Sequence, residues 1–252
     1  MIGVSSGSFD DWDAVEAADR VVAAGGTTVD LRVGKGQRWE AQGVEPFLDA
    51  GLEVAFLGLS CTLGVDDART VMARHRRDLA RGWPVKVFCA EGSRETERLA
   101  VARDLLAALA DAVGGPGRVA LETHRGHAPV AEVVAWAQED GTSVVLDSMG
   151  LAGVSADPVE DARRLDPHVR FVQVKGFEEI DGRTRHRPLE HDAEWHTKLL
   201  AVLSNPAAIT VESRAGDLAR DVACVARIWG AIGPPDVRTG TASGEADMRE
   251  WS

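Results

Sequence analysis

Glu122, Asp147 and Glu212 each close a short apolar run, and Gln173 sits inside another. The runs are Ala120-Leu121-Glu122, Val144-Val145-Leu146-Asp147, Phe171-Val172-Gln173-Val174-Lys175 and Ile209-Thr210-Val211-Glu212. Read as strands that each feed a helix, they build a parallel sheet. When such a sheet closes into a barrel, the strand C-termini converge on one mouth. Carboxylates gathered there repel one another unless a cation lies between them. The pattern therefore points to a divalent metal held by Glu122, Asp147, Gln173 and Glu212, and so to an enzyme. Oxygen-rich ligation suits Mn2+ or Mg2+ better than Zn2+. Any one of these acids alone would be read as a helix cap; their order on successive strands favours a shared site.

Other residues fall near the same mouth. His124 shares the parity of Glu122 in an extended chain. It could hydrogen-bond a substrate hydroxyl or move a proton near neutral pH; the plainer alternative is a loop histidine bonded to backbone. Lys175 shares the parity of Gln173. Beside a metal it could serve as acid, base or electrostatic stabiliser, and an ion pair with Glu212 is the structural alternative. After the second strand, Arg32, Lys35 and Arg38 stand among Gly34 and Gly36. Glycines let backbone approach a ligand, and arginine grips carboxylate or phosphate with two parallel bonds. A substrate that is anionic or polyhydroxylated fits; a solvated basic loop is the rival. The stretch lacks the spacing and Lys-Ser/Thr ending of a nucleotide P-loop. His186, within Arg183-Thr184-Arg185-His186-Arg187, could reach the site if the loop after strand seven closes, though a solvated basic loop would look the same.

These residues need a frame. Eight apolar runs read as strands, at 1–5, 27–31, 53–58, 84–89, 118–122, 143–147, 169–174 and 208–212. They are nearly continuous in apolar residues, as strands buried on both faces should be. Helical patterns lie between and after them at 11–24, 43–50, 66–81, 93–113, 128–140, 157–165, 191–204 and 215–231. Ser93 and Asp157-Pro158 offer helix starts, and Gly51, Gly82, Gly114-Gly115 and Gly141 offer stops. Strict alternation gives an α/β fold, and eight units favour a single (β/α)8 barrel over an open doubly wound sheet. The 252 residues suit one such barrel, expected over 1–233, with a flexible tail over 234–252. Trp251 is expected to be a loose end, or to dock on the body or on a second copy in a homo-oligomer.

Composition limits the function. A formal net charge of −12 argues against nucleic acid as a partner. No stretch is apolar enough to span a bilayer, and the start of the chain does not read as a secretory signal. The three cysteines, Cys61, Cys89 and Cys224, are scattered, so a reduced, cytoplasmic setting is expected.

The order Glu, Asp, usually His, then Glu on the last four strands resembles the xylose isomerase-like barrels, over roughly residues 1–233. These include sugar-phosphate isomerases and epimerases, inosose dehydratases and 3-dehydroshikimate dehydratases. The resemblance implies that Glu122, Asp147 and Glu212 are metal ligands. Gln173 stands where most members carry His, in a run usually like His-x-Lys-Asp and here Gln173-Val174-Lys175-Gly176. Some dehydratases of the family look to use Gln there. A His common shortly after the Asp is absent from Asp147-Ser148-Met149-Gly150-Leu151. In this family a His two residues after the first ligand lies close to substrate, as His124 would. The implied activity is a metal-dependent isomerase or epimerase acting on a sugar, sugar phosphate or related polyol through an enediolate, with Glu122 and Glu212 as base and acid. A dehydratase of a cyclic polyol or dehydroshikimate-like acid is the alternative, favoured by the triplet Glu122-Thr123-His124. A third reading is a barrel that has lost its metal and serves a metal-free or binding role. Endonuclease IV resembles the same fold but would need more histidines and a basic face.

Overall fold

The structure is a computed structural model that describes residues 1–233 except Asp10 and Gly182. The tail 234–252, with Trp251, lies outside the described residues. The strands are β1 (Ile2–Ser5), β2 (Thr28–Arg32), β3 (Glu53–Leu63), β4 (Val85–Cys89), β5 (Val119–Glu122), β6 (Ser143–Asp147), β7 (Val169–Val174), β8 (Phe177–Ile180), β9 (Arg183–His186) and β10 (Ala208–Val211). The first seven and β10 close a parallel barrel, with β10 pairing both β7 and β1. Each of the eight expected strands is present. The longest difference is β3, which runs on to Leu63, with a break in its register to β4 between Gly58 and Thr62.

Each of the eight expected helical stretches holds a helix, and the one expected over 66–81 is split at His75 into Ala68–Arg74 and Arg76–Leu79. Thr96–Val113 buries Ala102, Leu105, Leu106, Leu109 and Val113. It stops at Gly114, whose φ of +88° is a conformation only glycine adopts freely. Asp157 caps its helix as expected, accepting from Glu160 N. Ser93 does not: the helix starts at Thr96, and Ser93 Oγ instead donates to Glu132 and accepts from Trp136 Nε1. Two elements were not legible. The helix Ser148–Val154 carries two glycines that mask its pattern and is capped by Asp147. The antiparallel hairpin β8–β9 is polar and half-exposed.

Side chains alternate into and out of the barrel. The lower interior is closed by Phe56, Phe171, Ala120, Val145 and Ala208, with the two rings 5.0 Å apart. The plug is apolar, and the polar interior groups that face solvent gather in the upper layers, at the strand C-termini. Cys61, Cys89 and Cys224 are free and buried, and burial pushes the Cys61 and Cys89 thiols up to about 12. They are packing residues. Among the described residues no helix is long and apolar enough to cross a membrane.

Candidate active site

Register decides which interior residues meet. Asp147 pairs with Gln173, and Gln173 with Thr210, so these three share a level. Lys175 and Glu212 lie one step above, at the ends of β7 and β10. Lys86 pairs with Ala120, one step below Glu122, and its stem rises to meet it. All of these side chains are buried. Lys86, Glu122, Gln173, Lys175 and Glu212 line a cavity of about 180 Å3 whose walls also include Arg32, Ser60, Phe88 and His124. A larger cleft of about 360 Å3 lies outside the barrel beside Trp39, Arg77 and Trp83. Two of its carboxylates are already engaged: Glu40 by the N–H groups of Gly34, Lys35 and Gln37, and Glu45 by Arg81. The smaller cavity therefore holds the concentrated chemistry.

The cations that the clustered carboxylates require are supplied by the chain. Lys175 Nζ stands between Asp147 Oδ2 at 2.6 Å and Glu212 Oε2 at 3.0 Å. Lys86 Nζ pairs with Glu122 Oε2 and lies over the Phe88 ring at 4.2 Å. Arg32 and Arg214 share the other oxygen of Glu212, at 3.3 and 2.8 Å. Gly58 lets the stems of Arg32 and Lys86 through, since a Cβ there would press on both at 3.2–3.3 Å.

Burial raises every carboxyl here, and the neighbours decide the outcome. For Glu122, Lys86 and Lys175 outweigh burial, and its pKa lies below the ordinary value. For Glu212, Lys175, Arg32 and Arg214 outweigh burial and hold it down to about 2. Asp147 stays raised, because burial and the nearby Glu122 and Glu212 overcome Lys175. Burial depresses Lys175, but Asp147, Glu212 and Glu122 more than reverse this, and it stays charged well above its usual range.

Gln173 is a brace. Its Nε2 donates to Asp30 Oδ2 at 3.0 Å and Ser5 Oγ at 3.2 Å. Asp30 also accepts from Ser5 and Thr210, and burial still raises its pKa.

Among the other expected residues, Lys35 and Arg32 reach the cavity. Arg38 does not: its turn, Arg38–Ala41, aims it at the Asp11 carbonyl and Asp13. His186 lies within electrostatic reach of Glu212, Arg214, Lys175 and Arg32, and burial lowers its pKa. His124 Nδ1 sits 2.8 Å from the Arg125 carbonyl oxygen, which can only accept. The ring proton is thereby assigned to Nδ1, leaving Nε2 as an acceptor in the neutral form. Lys86, Asp30 and Arg214 escaped the sequence reading. The first two had a signal, a charge inside an apolar strand, which must find a buried partner.

Comparison with solved structures fits this architecture. An L-ribulose 3-epimerase superposes with a TM-score of 0.65 at 14% identity, covering 98% of this chain and 100% of that one. A xylose isomerase-like TIM barrel protein from Mycobacterium smegmatis, in complex with magnesium, gives 0.61 at 13%, covering 92% and 96%. This chain has the xylose isomerase-like barrel fold. A third structure with this barrel, the probable 3-DHS dehydratase AsbF from Bacillus anthracis, gives 0.64 at 14%, covering 88% and 97%. No protein-family model and no curated protein matches the sequence.

The residues can be tested against a divalent ion. Mg2+ and Mn2+ favour about six oxygen ligands. Asp147 uses Oδ1 to accept from Gly150 N at 2.7 Å and Oδ2 for Lys175. Both oxygens of Glu212 are engaged by cations. Only Glu122 Oε1 and Gln173 Oε1 make no hydrogen bond or ion pair among the oxygens of the four expected ligands. Among the described residues, no three His, Cys, Asp or Glu side chains are placed to hold a metal. In this arrangement the expected ligand set does not fit the ion.

Proposed function

We propose that this barrel is an isomerase or epimerase that moves a proton at a carbon beside a carbonyl of a small, anionic or polyhydroxylated substrate, a sugar or related polyol. The observation that carries it is Glu122, a carboxylate with one oxygen tied to Lys86 and the other open to a cavity rich in cations. In this reading Glu122 Oε1 takes the proton from carbon. The C–H electron pair becomes the new C=C bond, and the carbonyl pair moves onto oxygen. The ammonium N–H groups of Lys175 and Lys86 offset that charge in a site shielded from water. Glu122 returning the proton to the adjacent carbon, while His124 Nε2 carries the hydroxyl proton between the two oxygens, gives the isomer; delivery of a proton to the opposite face by protonated His124 gives the epimer.

Glu212 is the expected acid, but a carboxyl held down to about 2 carries no proton to give at neutral pH. It serves instead as the anchor for Lys175, Arg32 and Arg214, and His124 is the candidate second proton carrier. The cavity is smaller than the ~300–1,000 Å3 of drug-sized ligand sites, which favours a small substrate. The likeness to an L-ribulose 3-epimerase supports the same class.

The test is exchange of solvent deuterium into ketoses and inososes, with and without added Mn2+. The expected result is deuterium at carbon without a conjugated product, and a loss of ~10²-fold or more in Glu122→Gln. A lack of exchange across the panel would count against the reading. A dehydratase is the second reading, supported by the free Nε2 of His124 and by the likeness to AsbF. It requires an ultraviolet-absorbing product formed with loss of one water from a dehydroshikimate-like acid.

A further inference from the structure

We infer that Lys175 is the resident cation of this barrel, its ammonium group taking the place between Asp147 and Glu212 that a divalent ion would need. The inference concerns the carboxylate cluster on which the proposed function rests, and it does not depend on which substrate reacts there.

Three observations carry it. The first is position. Nζ lies 2.6 Å from Asp147 and 3.0 Å from Glu212, distances of charge-assisted hydrogen bonds. A second cation cannot share that space. The second is charge. Each of Glu122, Asp147 and Glu212 already meets a cation: Lys86 for the first, Lys175 for the second, and Lys175, Arg32 and Arg214 for the third. Adding a dication without expelling Lys175 brings more positive charge among carboxylates that are already paired, in a low-dielectric interior. The third is fixation. The Lys175 backbone N–H donates to buried Ser148 Oγ at 3.0 Å. Gly176 follows, where a Cβ would run into the Arg187 carbonyl, so backbone packing pins the strand end that aims the side chain. An ammonium group has three N–H donors. Two are spent on Asp147 and Glu212, which leaves one for a substrate oxygen in the cavity that Lys175 lines.

The experiment needs no substrate. Chelator-treated wild-type protein is titrated with Mn2+, with free ion read by electron paramagnetic resonance, and thermal unfolding is recorded with Mn2+ and with EDTA. The wild type should take up no stoichiometric Mn2+ at concentrations up to the protein's own, and its Tm should be the same in both. Lys175→Met removes the charge but keeps an unbranched stem. It should acquire about one Mn2+ per chain and be stabilised by it, whereas Lys175→Arg should remain indifferent. If Lys175→Met folds only when refolded with Mn2+, that is the same positive result. Stoichiometric uptake by the wild type, abolished in Glu212→Gln, overturns the inference. So does a Lys175→Met protein that neither binds Mn2+ nor is rescued by it. Failure of the deuterium-exchange panel would refute the proposed reaction and leave this result untouched.

Discussion

Lys86→Met isolates the pair that the proposed reaction depends on. Methionine retains the apolar stem and deletes the ammonium group, so Glu122 loses its nearest cation while staying buried. Lys86 and Glu122 are 4% exposed each, so water cannot replace the lost partner. Breaking a buried pair from one side costs ~3–5 kcal/mol. Glu122 has one escape, which is to take up a proton. From an ordinary value of 4.5, protonation at pH 7 costs roughly 3 kcal/mol at about 1.4 kcal/mol per pH unit. That sets the ceiling. For a chain of this size, about 2–4 °C per kcal/mol translates it into a Tm loss of ~6–12 °C.

The pH dependence gives the signature. In the wild type the Glu122 pKa is lowered, so its contribution is present above its unfolded value and lost as pH falls through the folded one. In Lys86→Met burial is opposed chiefly by Lys175, and the folded value rises above that of the wild type. The variant's deficit should therefore be greatest at pH 7–8 and shrink to under about 1 kcal/mol near pH 5. Urea unfolding across pH 5–8 measures this directly. Lys86→Met/Glu122→Gln, which removes both charges, should recover most of the loss, because a buried pair replaced as a unit is often close to neutral. A single variant within about 1 kcal/mol of wild type at pH 7, or a deficit independent of pH, refutes the argument.

Four further outcomes follow from the geometry. Glu212→Gln should be less stable than wild type at pH 7 by on the order of 3 kcal/mol. The difference should fade as pH drops from 5 toward about 2, the value at which Lys175, Arg32 and Arg214 hold the native carboxyl; unfolding at graded pH reads it. Arg32→Ala should raise KM for an anionic substrate at least ~10-fold and little for a neutral one, while Arg38→Ala should change neither, in steady-state kinetics. Gly150→Ala should cost the upper end of ~1–3 kcal/mol by urea unfolding, because its Cβ would strike the Thr123 carbonyl, and backbone cannot give way as a side chain does. His124→Asn, which removes the second proton carrier, should lower turnover ~10²-fold or more in steady-state kinetics; a variant that keeps most of the rate takes His124 out of that role.

The barrel was legible because its strands are buried on both faces and read as continuous apolar runs, and because helices between them stop at glycines such as Gly114 and Gly141. The helix Ser148–Val154 was not, since Gly150 and Gly153 lower its propensity and tertiary contacts hold it instead. Gly150 packs on the Thr123 carbonyl and Gly153 on the Arg125 stem. The hairpin β8–β9 was hidden for the opposite reason: with no buried face, it leaves no periodic trace.

At the site, parity carried the reading a certain distance. Glu122, Asp147, Gln173, Lys175 and Glu212 do face one interior, because each lies in or just beyond a strand at a position of inward parity. Repulsion among the acids did demand a cation. What strand phase cannot tell is which cation, because a lysine stem spans a whole layer of the barrel. Lys86 enters from the level of Ala120 and reaches Glu122 one layer up, so its strand gave no hint of the partner. Arg214 comes from a loop with no period at all and still meets Glu212. A buried lysine in Val85-Lys86-Val87 was itself the missing clue: a charge in the middle of an interior strand must answer an opposite charge within its reach.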